Sequence, residues 1–374
     1  MIQQIDPQKC TGCGICVRVC PLDTLRLDPF QEAYPPCRQR CPADVDVRGF
    51  LFYFKQGMLE EAYAFLHEFL PFPAITGLLC HHPCEKVCAR NAVDQAINIH
   101  GMEYYIGTSS VSRRFQSHPL VHPEKIAVIG SGPAGLSAAY FMRKMGYTVT
   151  VFESNDNFGG SLLKEVSEKR MPLDVLSAEL TSLKEMGISL INRSKLFDVM
   201  KFDDLRDLRY SAICLATGFA TGLPEQMAAD DKSTISVDPV TLETKIEGVF
   251  ACGGLAGRLS SLVEVIASAK RVAVSIHRFL RKEARRAEKE PDIKKVTRTP
   301  RDGIKRKPRL EPDGGLNDRS AEQEADRCMS CGSLAYIAHP EDCMTCFECE
   351  VKCPSKAIKV HPFKETLPMT LAIK

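Results

Sequence analysis

The sequence lacks the long apolar runs of a membrane protein and any strong excess of one charge. None of its apolar stretches approaches the roughly 18–20 consecutive residues that are needed to span a bilayer. It opens with MIQQIDPQKC, without the apolar core of a secretory signal. Its net charge is +2, which gives no general electrostatic reason to bind nucleic acid or a membrane surface. We therefore expect a cytoplasmic protein with no transmembrane segment and no nucleic-acid partner.

What the sequence has in excess is cysteine, with 17 among 374 residues. In a reducing compartment, cysteines at motif spacing usually bind metal or carry out redox chemistry. The length allows two or three domains, and the apolar fraction of 44% is ordinary for a globular protein. The cysteines fall into four groups, and only Cys214 and Cys252 stand alone. We expect these two to pack as small apolar side chains in strands. The alternative is a redox disulfide, which would require the two cysteines to meet.

Two of the groups repeat the motif C-x2-C-x2-C-x3-C-P. This motif is typical of bacterial ferredoxins, in which three thiolates hold one 4Fe–4S cluster and the fourth holds the other cluster of a pair. Zinc is the alternative, but zinc ribbons use two separated pairs of cysteines, so we favour iron–sulfur clusters. The two runs are Cys10, Cys13, Cys16 and Cys20 before Pro21, and Cys343, Cys346, Cys349 and Cys353 before Pro354.

A further cysteine-rich region lies within residues 29–120. Apolar residues recur at helical spacing over about 47–69, which predicts a helix there. Buried structural thiols are the alternative interpretation, but five cysteines so close together favour cluster ligands. The motifs are C-x3-C-P at Cys37 and Cys41, C-x3-C-E-x2-C at Cys80, Cys84 and Cys88, and I-N-I-x-G-x-E ending at Glu103.

A dinucleotide-binding motif follows these cysteines. In such a motif the first glycine makes the turn, the second lets the backbone approach a pyrophosphate, and the third lets helix and strand pack closely. The helix N-terminus faces the phosphate charge, and the acid after the second strand accepts hydrogen bonds from ribose hydroxyls. The motif alone does not distinguish FAD from NAD. Its parts are a strand at 125–130, Gly130, Gly132 and Gly135, a helix at 133–145 that starts with Pro133 and Ala134, a strand at 147–152, and Glu153.

Together these motifs resemble the glutamate synthase small chain, whose cluster domain is shared with dihydropyrimidine dehydrogenase and the NADPH subunit of bifurcating transhydrogenases. The resemblance covers about residues 29–280 and the motif at Cys328. It implies FAD as the dinucleotide, and it implies a helix at 262–280 that points its N-terminus toward the flavin ring. In one departure, Gly254 stands where the family usually has Asp. The further flavin-contacting residues that it implies are Gly160, Ala216, Thr217, Gly218, Gly253 and Gly254.

A larger departure follows Gly218. Full-length members insert a second Rossmann domain for NADPH there, whereas only 29 residues precede Gly248 in this sequence. Those residues carry no second G-x-G-x-x-G. We therefore expect a flavin domain without its hydride-donor site, whose flavin is reduced through the clusters or by a partner subunit.

The resemblance also implies a set of cluster ligands. The family motif A-R-C-x2-C-G, which precedes C-x3-C-P, is missing before Cys37 and reappears at Cys328 and Cys331, so we expect the C-terminal segment to fold back. The 15 grouped cysteines and Glu103 then make 16 ligands, enough for four clusters. A surface carboxylate is the alternative for Glu103. The four predicted sets are Cys37, Cys88, Cys328 and Cys331; Cys41, Cys80, Cys84 and Glu103; Cys343, Cys346, Cys349 and Cys20; and Cys10, Cys13, Cys16 and Cys353.

The predicted fold class is multidomain α/β plus α. It combines a helical 4Fe–4S domain, a single Rossmann-like FAD-binding domain and a bacterial ferredoxin-like α+β domain split between both ends. Residues 281–309 hold 13 Lys or Arg and 5 Asp or Glu, which predicts a solvated linker or a docking segment for an acidic partner. A short acidic helix is expected at 320–326. The predicted domains are 1–28, 29–120, 121–280, a basic linker at 281–325, and 326–374.

The function predicted from these cofactors is electron transfer. A flavin exchanges two electrons and clusters exchange one at a time, so the pair converts hydride-level chemistry into single-electron flow. We expect a subunit of a hetero-oligomer in anaerobic metabolism, which connects a ferredoxin-like partner with a catalytic oxidoreductase subunit. The alternative is a self-contained NAD(P)H:acceptor oxidoreductase or a glutamate-synthase-like small chain, and the missing nicotinamide domain argues against it.

Overall fold

The computed structural model describes most of the chain. Cys13, Pro354 and residues 285–303 of the predicted linker lie outside the described residues. No helix of the described part is long and apolar enough to cross a membrane. The described residues are 1–6, 9–10, 15–22, 24–28, 34–109, 118–195, 201–219, 234–284, 304–312, 314–353 and 355–361.

Within these residues the elements fall into four segments along the chain. The N-terminal segment contains β1 (Ile2–Ile5), α1 (Ile15–Val19) and β2 (Leu25–Asp28). The helical unit contains α2 (Pro36–Arg40), α3 (Val47–Lys55), α4 (Leu59–Leu66), α5 (Pro73–Leu79), α6 (Pro83–Lys86) and α7 (Ile99–Thr108). The sheet unit contains β3 (Lys125–Ile129), α8 (Pro133–Lys144), β4 (Thr148–Phe152), α9 (Leu162–Ser167), α10 (Leu173–Glu185), β5 (Ser189–Ile191), α11 (Phe202–Asp207), β6 (Tyr210–Leu215), β7 (Val249–Ala251) and α12 (Leu262–Arg281). The C-terminal segment contains α13 (Asp318–Ala325), β8 (Leu334–Ile337), α14 (Glu348–Val351) and β9 (Ile358–Val360).

The helical unit corrects one prediction. The helix expected over 47–69 is two helices, α3 and α4, because the chain turns at Gly57 with a φ of 73° that favours glycine. Asp46 starts α3 by accepting hydrogen bonds from the backbone N–H groups of Arg48 and Gly49. The two helices then pack against each other with Phe50 and Leu66 fully buried.

The sheet unit is the Rossmann-like parallel sheet that the sequence predicts. Its strand order is β5-β4-β3-β6-β7, and each neighbouring pair is parallel. Alternate residues of β3 enter different cores: Ile126 and Val128 face the side of α8 and α12, whereas Ala127 and Ile129 face the other side. The first of these cores continues into the helical unit. The sheet and the helical unit are therefore packed together directly.

The two chain ends form one small α+β unit. Strand β1 pairs with β9 and β2 pairs with β8, both antiparallel. A shared core contains Leu25 from the N-terminal segment and Leu334 and Ile358 from the C-terminal segment. The ends thus meet as the split ferredoxin-like prediction requires, while the predicted domain boundaries themselves stay predictions.

A buried ion-pair network attaches the C-terminal segment to the helical unit. Arg327 is 1% exposed, and its guanidinium donates to Glu324 at 2.5 Å and to Asp94 at 3.0 Å. It also donates to the backbone carbonyl of Gln95 at 2.6 Å. Glu324 is fully buried and accepts a hydrogen bond from the backbone N–H of Asn98. Because Cys328 follows Arg327 directly, this network positions the last cysteine-rich segment.

Replacing Arg327 with Ala should lower the free energy of unfolding by about 3–5 kcal/mol, because it leaves the carboxylate of Glu324 buried without its cation. Chemical denaturation under anaerobic conditions measures the change. Arg319→Ala is the matched control, since Arg319 is exposed on α13. Equal unfolding midpoints for the two variants would show that the network does not hold the segment in place.

Candidate cluster and dinucleotide sites

The first predicted ligand set comes together across the fold. Burial raises the pKa of the Cys37 thiol, and the neighbouring Cys88, Cys331 and Cys328 raise it further. Arg48 supports this arrangement by donating to the backbone carbonyl of Cys331 at 3.3 Å. The C-terminal segment therefore folds back onto the helical unit, as the motif at Cys328 predicts.

The second predicted set surrounds a buried carboxylate. Glu103 lies on α7, is 5% exposed, and has its pKa raised to about 8 by burial and by Glu85. In the described ranges no hydrogen bond or ion pair ends on its side chain, and such burial does not fit a surface carboxylate. Burial raises the pKa of Cys41 to about 11 and that of Cys80 to about 12, with Glu103 adding to both. Cys84 also has its pKa raised, first by burial and next by Glu103.

The third set combines both chain ends. Burial raises the pKa of Cys349 to about 11, and Cys20, Cys343 and Cys346 raise it further. These four thiols line one small cavity. Its other walls include Ile2 from β1 and Val360 from β9, so the antiparallel pairing of the ends encloses it.

The fourth set is described in part. Cys10 and Cys16 are buried in the same small core, and Cys353 packs against it. The Sγ atom of Cys353 accepts a hydrogen bond from the backbone N–H of Ala357 at 3.3 Å. Cys13 lies outside the described residues.

The chemistry of these groups fits iron–sulfur clusters. The sulfur donors are gathered in sets of the kind that holds a cubane cluster, and the described ones are buried or half-buried except for Cys346. In such surroundings a thiol stays protonated unless a metal supplies compensating positive charge, and a metal ion deprotonates a coordinating thiol outright. A bound cluster would supply that charge to the buried thiols of these sets.

The glycine motif opens on a cleft of about 660 Å³ at the carboxyl ends of the strands. A Cβ atom at Gly132 would meet no atom within 4 Å, so the space beside this backbone is open for a phosphate group. The lining also contains residues that the sequence analysis does not predict, among them Lys195 and Arg258. The predicted residues that line the cleft are Gly130, Gly132, Pro133, Ala134, Glu153, Gly160, Ala216, Thr217, Gly218 and Gly254.

Two of the predicted glycines, Gly135 and Gly253, do not line the cleft and have a packing role. A Cβ at Gly135 would lie 1.9 Å from the carbonyl oxygen of Gly130, so α8 could not approach β3 with a larger residue. Gly253 has a φ of 69°, and its Cβ would lie 2.5 Å from that of Ala134. Both glycines shape the cleft from outside.

Glu153 is held in place by hydrogen bonds on both oxygens. One oxygen accepts from the backbone N–H and the hydroxyl of Ser131, and the other accepts from the backbone N–H and the amide of Asn155. Burial opposes ionisation, but these hydrogen bonds lower the pKa of Glu153 below its ordinary value. The acid is thus a fixed negative charge at the edge of the cleft, and a ribose hydroxyl would have to compete with its internal donors.

The two isolated cysteines lie close to each other. Their sulfur atoms are 3.7 Å apart, and both side chains are fully buried. Cys214 lies in β6 as predicted, but Cys252 follows the end of β7 and is not part of a strand. In the parallel register Cys214 is opposite Phe250, two residues before Cys252. The two thiols are free and share a contact in the core behind the cleft.

A group of His82, Glu85 and His100 has ligand atoms within 4.8 Å of one another beside the second set. Arg309 already donates to Glu85 at 2.8 Å, and His100 Nδ1 lies 2.8 Å from the same carboxylate. The guanidinium of Arg309 already supplies positive charge to Glu85, as a metal ion would. The group of His82, Glu85 and His100 therefore anchors the segment that carries Arg309.

Three family models match the chain. They are the 4Fe–4S cluster domain II of dihydropyrimidine dehydrogenase at residues 30–115, the pyridine nucleotide-disulphide oxidoreductase domain at 92–271, and the 4Fe–4S binding domain at 4–26. The predicted resemblance is confirmed. The chain is an iron–sulfur protein with a flavin and pyridine-nucleotide oxidoreductase domain, and the number of its clusters stays a prediction.

Three curated relatives are each 28% identical to this chain over the matched part. The NADP(+)-dependent formate dehydrogenase subunit beta of Moorella thermoacetica is 28% identical over 268 residues, which cover 65% of this chain and 37% of the relative. The NADPH-Fe(3+) oxidoreductase subunit beta of Geobacter sulfurreducens is 28% identical over 204 residues, with 53% and 30% covered. The NAD-dependent dihydropyrimidine dehydrogenase subunit PreT of Salmonella typhimurium is 28% identical, with 50% and 46% covered. The chain spans less than half the length of each of these relatives.

Solved structures match the chain over a smaller part. The ferredoxin-flavin thioredoxin reductase of Clostridium acetobutylicum is 18% identical, with a TM-score of 0.27, and the match covers 42% of this chain and 98% of that one. The THI4 protein of Thermovibrio ammonificans is 16% identical, with a TM-score of 0.31 and coverage of 42% and 90%.

Gly132→Ala should fold normally and bind FAD at least about tenfold more weakly, because the added methyl group occupies the open space of the cleft and meets no protein atom. The measurements are flavin absorbance per chain after reconstitution with FAD, and thermal unfolding of the same samples. Gly135→Ala is the contrasting variant and should lower thermal stability as well, since its methyl group meets the Gly130 carbonyl. Full flavin content in Gly132→Ala would place the dinucleotide elsewhere.

Proposed function

We propose that this chain is the electron-transfer subunit of a multi-subunit oxidoreductase and carries one FAD and four 4Fe–4S clusters. The observation that supports this most directly is the convergence of Cys37, Cys88, Cys328 and Cys331 from distant parts of the sequence, in a helical unit that packs directly against the unit with the dinucleotide cleft. The sets centred on Cys37 and Cys41 belong to the helical unit, which shares a continuous core with the sheet unit. Cofactors in such an arrangement lie within one packed body.

The proposed ligands are the sixteen residues predicted from the sequence. Glu103 is the single carboxylate among them, and its burial among Cys41, Cys80 and Cys84 supports a ligand role. When bound, clusters exchange single electrons and a flavin exchanges two, so the chain converts one kind of transfer into the other. The fourth set, which includes Cys13, is proposed on the sequence motif and on the placement of Cys10, Cys16 and Cys353.

The protein's own residues bind and orient these groups. The N-terminus of α8, after the glycine turn, directs backbone N–H groups and the positive end of its dipole into the cleft, where a pyrophosphate would lie. Glu153, fixed by Ser131 and Asn155, would bind a ribose hydroxyl at the far end. Apolar residues such as Ile2 and Val360 shield the third ligand set from water, which influences the potential of a cluster.

The partners are proposed from the relatives and from the length of the flavin domain. The names of the relatives describe subunits, which supports a hetero-oligomer. With 29 residues between Gly218 and Gly248, the sheet unit has no room for a second dinucleotide domain at the family position. A ferredoxin-like donor or a catalytic partner subunit would then supply or take up the electrons. A cytoplasmic location stays a prediction.

A second candidate function is favoured by the relatives' names, which contain NADP(+), NADPH and NAD. In this alternative the chain is itself an NAD(P)H:acceptor oxidoreductase, or a glutamate-synthase-like small chain. These relatives are about three times as long as the matched part, so their nicotinamide chemistry has no assigned place in this chain.

The two functions predict different electron donors. In anaerobic protein mixed separately with NADH, NADPH and reduced ferredoxin, we expect only ferredoxin to reduce the clusters and bleach the flavin, because the hydride-donor domain is missing. Absorbance between 350 and 700 nm in a stopped-flow instrument follows both, since flavins and clusters absorb there. The flavin-poor variant Gly132→Ala should keep cluster reduction by ferredoxin. Rapid bleaching by a nicotinamide would favour the second function.

Iron analysis tests the ligand scheme. Anaerobically reconstituted protein should contain about 16 iron atoms per chain, four for each cluster. Glu103→Ala should lose about four of them or change the electron paramagnetic resonance spectrum of one cluster, because it removes one of four ligands. Glu61→Ala, an exposed carboxylate on α4, is the matched control. About 12 iron atoms in the unchanged chain, or an unaltered Glu103→Ala, would contradict the scheme.

A further inference from the structure

The cysteine loop of the C-terminal segment reaches the protein surface. Cys346 is exposed, whereas the other cysteines in the described part of the chain are buried or half-buried. Two large apolar side chains line the same small cavity and face solvent beside it: Met344 is 60% exposed and Leu22 is 42% exposed. Solvent-exposed apolar side chains next to a predicted ligand mark a place where another molecule can approach the third set closely.

The charged side chains within this loop are all acidic. Residues 340–351 contain four carboxylates and no lysine or arginine. Glu341, Asp342 and Glu348 are exposed, while Glu350 is half-buried and accepts a hydrogen bond from the backbone N–H of Val360. The amino group of Met1 contacts the same loop at Thr345, so one positive charge lies against three exposed negative ones.

The Cys346 edge is defined here as the apolar residues Leu22 and Met344, the thiol of Cys346, and the exposed carboxylates Glu341, Asp342 and Glu348. We propose that this edge is the docking surface for a redox protein that presents a cationic rim around an apolar centre. This inference rests on the proposed function, since it assigns the place where single electrons pass between the chain and its partner.

Close approach and electrostatic steering both favour docking at this edge. Redox partners form small, short-lived interfaces in which complementary charge raises the association rate and an apolar centre excludes water. The Cys346 edge offers both features at the most exposed of the described cysteines. The lysines of this region lie further along the chain, at Lys352, Lys356 and Lys359, around Cys353 and β9.

The electron count of the step is simple. One electron leaves the reduced chain at this edge and reduces a one-electron acceptor in the partner, and no atom or proton is transferred. In the test the electron comes from dithionite, which is removed before mixing.

The experiment compares two small redox proteins of opposite charge. Chain reduced with dithionite is mixed in a stopped-flow instrument with cationic cytochrome c or with anionic cytochrome b5, at low and at physiological salt. We expect faster transfer to cytochrome c at low salt, with a rate that falls about tenfold as salt screens the charges. Faster transfer to cytochrome b5, or a rate that does not depend on salt, would overturn the proposal.

A charge-reversal variant tests the location. Glu341→Lys, Asp342→Lys and Glu348→Lys together should slow transfer to cytochrome c about tenfold at low salt and remove its salt dependence. The control changes Glu185, Asp207 and Glu247 to Lys, three exposed carboxylates of the sheet unit with the same total charge change. Equal slowing in both triple variants would mean that net charge, and not this edge, controls the rate.

Two measurements show whether a negative result contradicts the docking surface or the proposed function. Iron content and bleaching by dithionite report whether the clusters are present and reducible, and both should be unchanged in the triple variant. A chain without reducible clusters would contradict the proposed function itself. Reducible clusters with charge-independent transfer would overturn only the docking surface.

Discussion

The buried charge network around Arg327 is the interaction on which the rest of the structure depends. Burying a guanidinium and the carboxylate of Glu324 is costly unless each finds its partner, so the network forms as a whole or not at all. It joins residues that are more than 200 positions apart, and its formation brings Cys328 to Cys37 and Cys88. The same network includes the preceding segment, because Leu310 donates its backbone N–H to Glu324.

A continuous apolar core connects the helical unit, which contains two of the ligand sets, with the sheet unit, which contains the dinucleotide cleft. Helix α5 packs against α12, and the hydroxyl of Tyr140 on α8 donates to the backbone carbonyl of His67 at 2.6 Å. Lys270 of α12 lies 5.4 Å from the ring of Phe69. Contacts of this density keep distances fixed, which is what electron transfer over several cofactors requires.

The sequence predicts best what depends on local spacing. Helix α8 differs from prediction by one residue at its end, since glycines and apolar periodicity mark it. Helix α12, which the family resemblance implies, also differs by one residue at its end. The break at Gly57 was missed because the apolar pattern continues across it.

Contacts between distant side chains left no such local signal. The donors to Glu153 and the docking of Arg309 onto Glu85 are set by tertiary placement. The composition of the basic stretch 281–309 predicts a solvated segment. Arg309 belongs to this stretch, yet its side chain is half-buried. The ligand sets were predictable only through family resemblance, since cysteine spacing does not say which distant motifs meet.

The pairing of the two chain ends has a consequence for biosynthesis. Contacts between β1 and β9 close a loop of nearly the whole chain, and such contacts form late in folding. On the ribosome, the set of Cys41, Cys80, Cys84 and Glu103 is complete once residue 103 has emerged, whereas the other three proposed sets wait for residues beyond 327. Iron would therefore enter the helical unit first, and the remaining thiols would stay exposed to oxygen until synthesis ends.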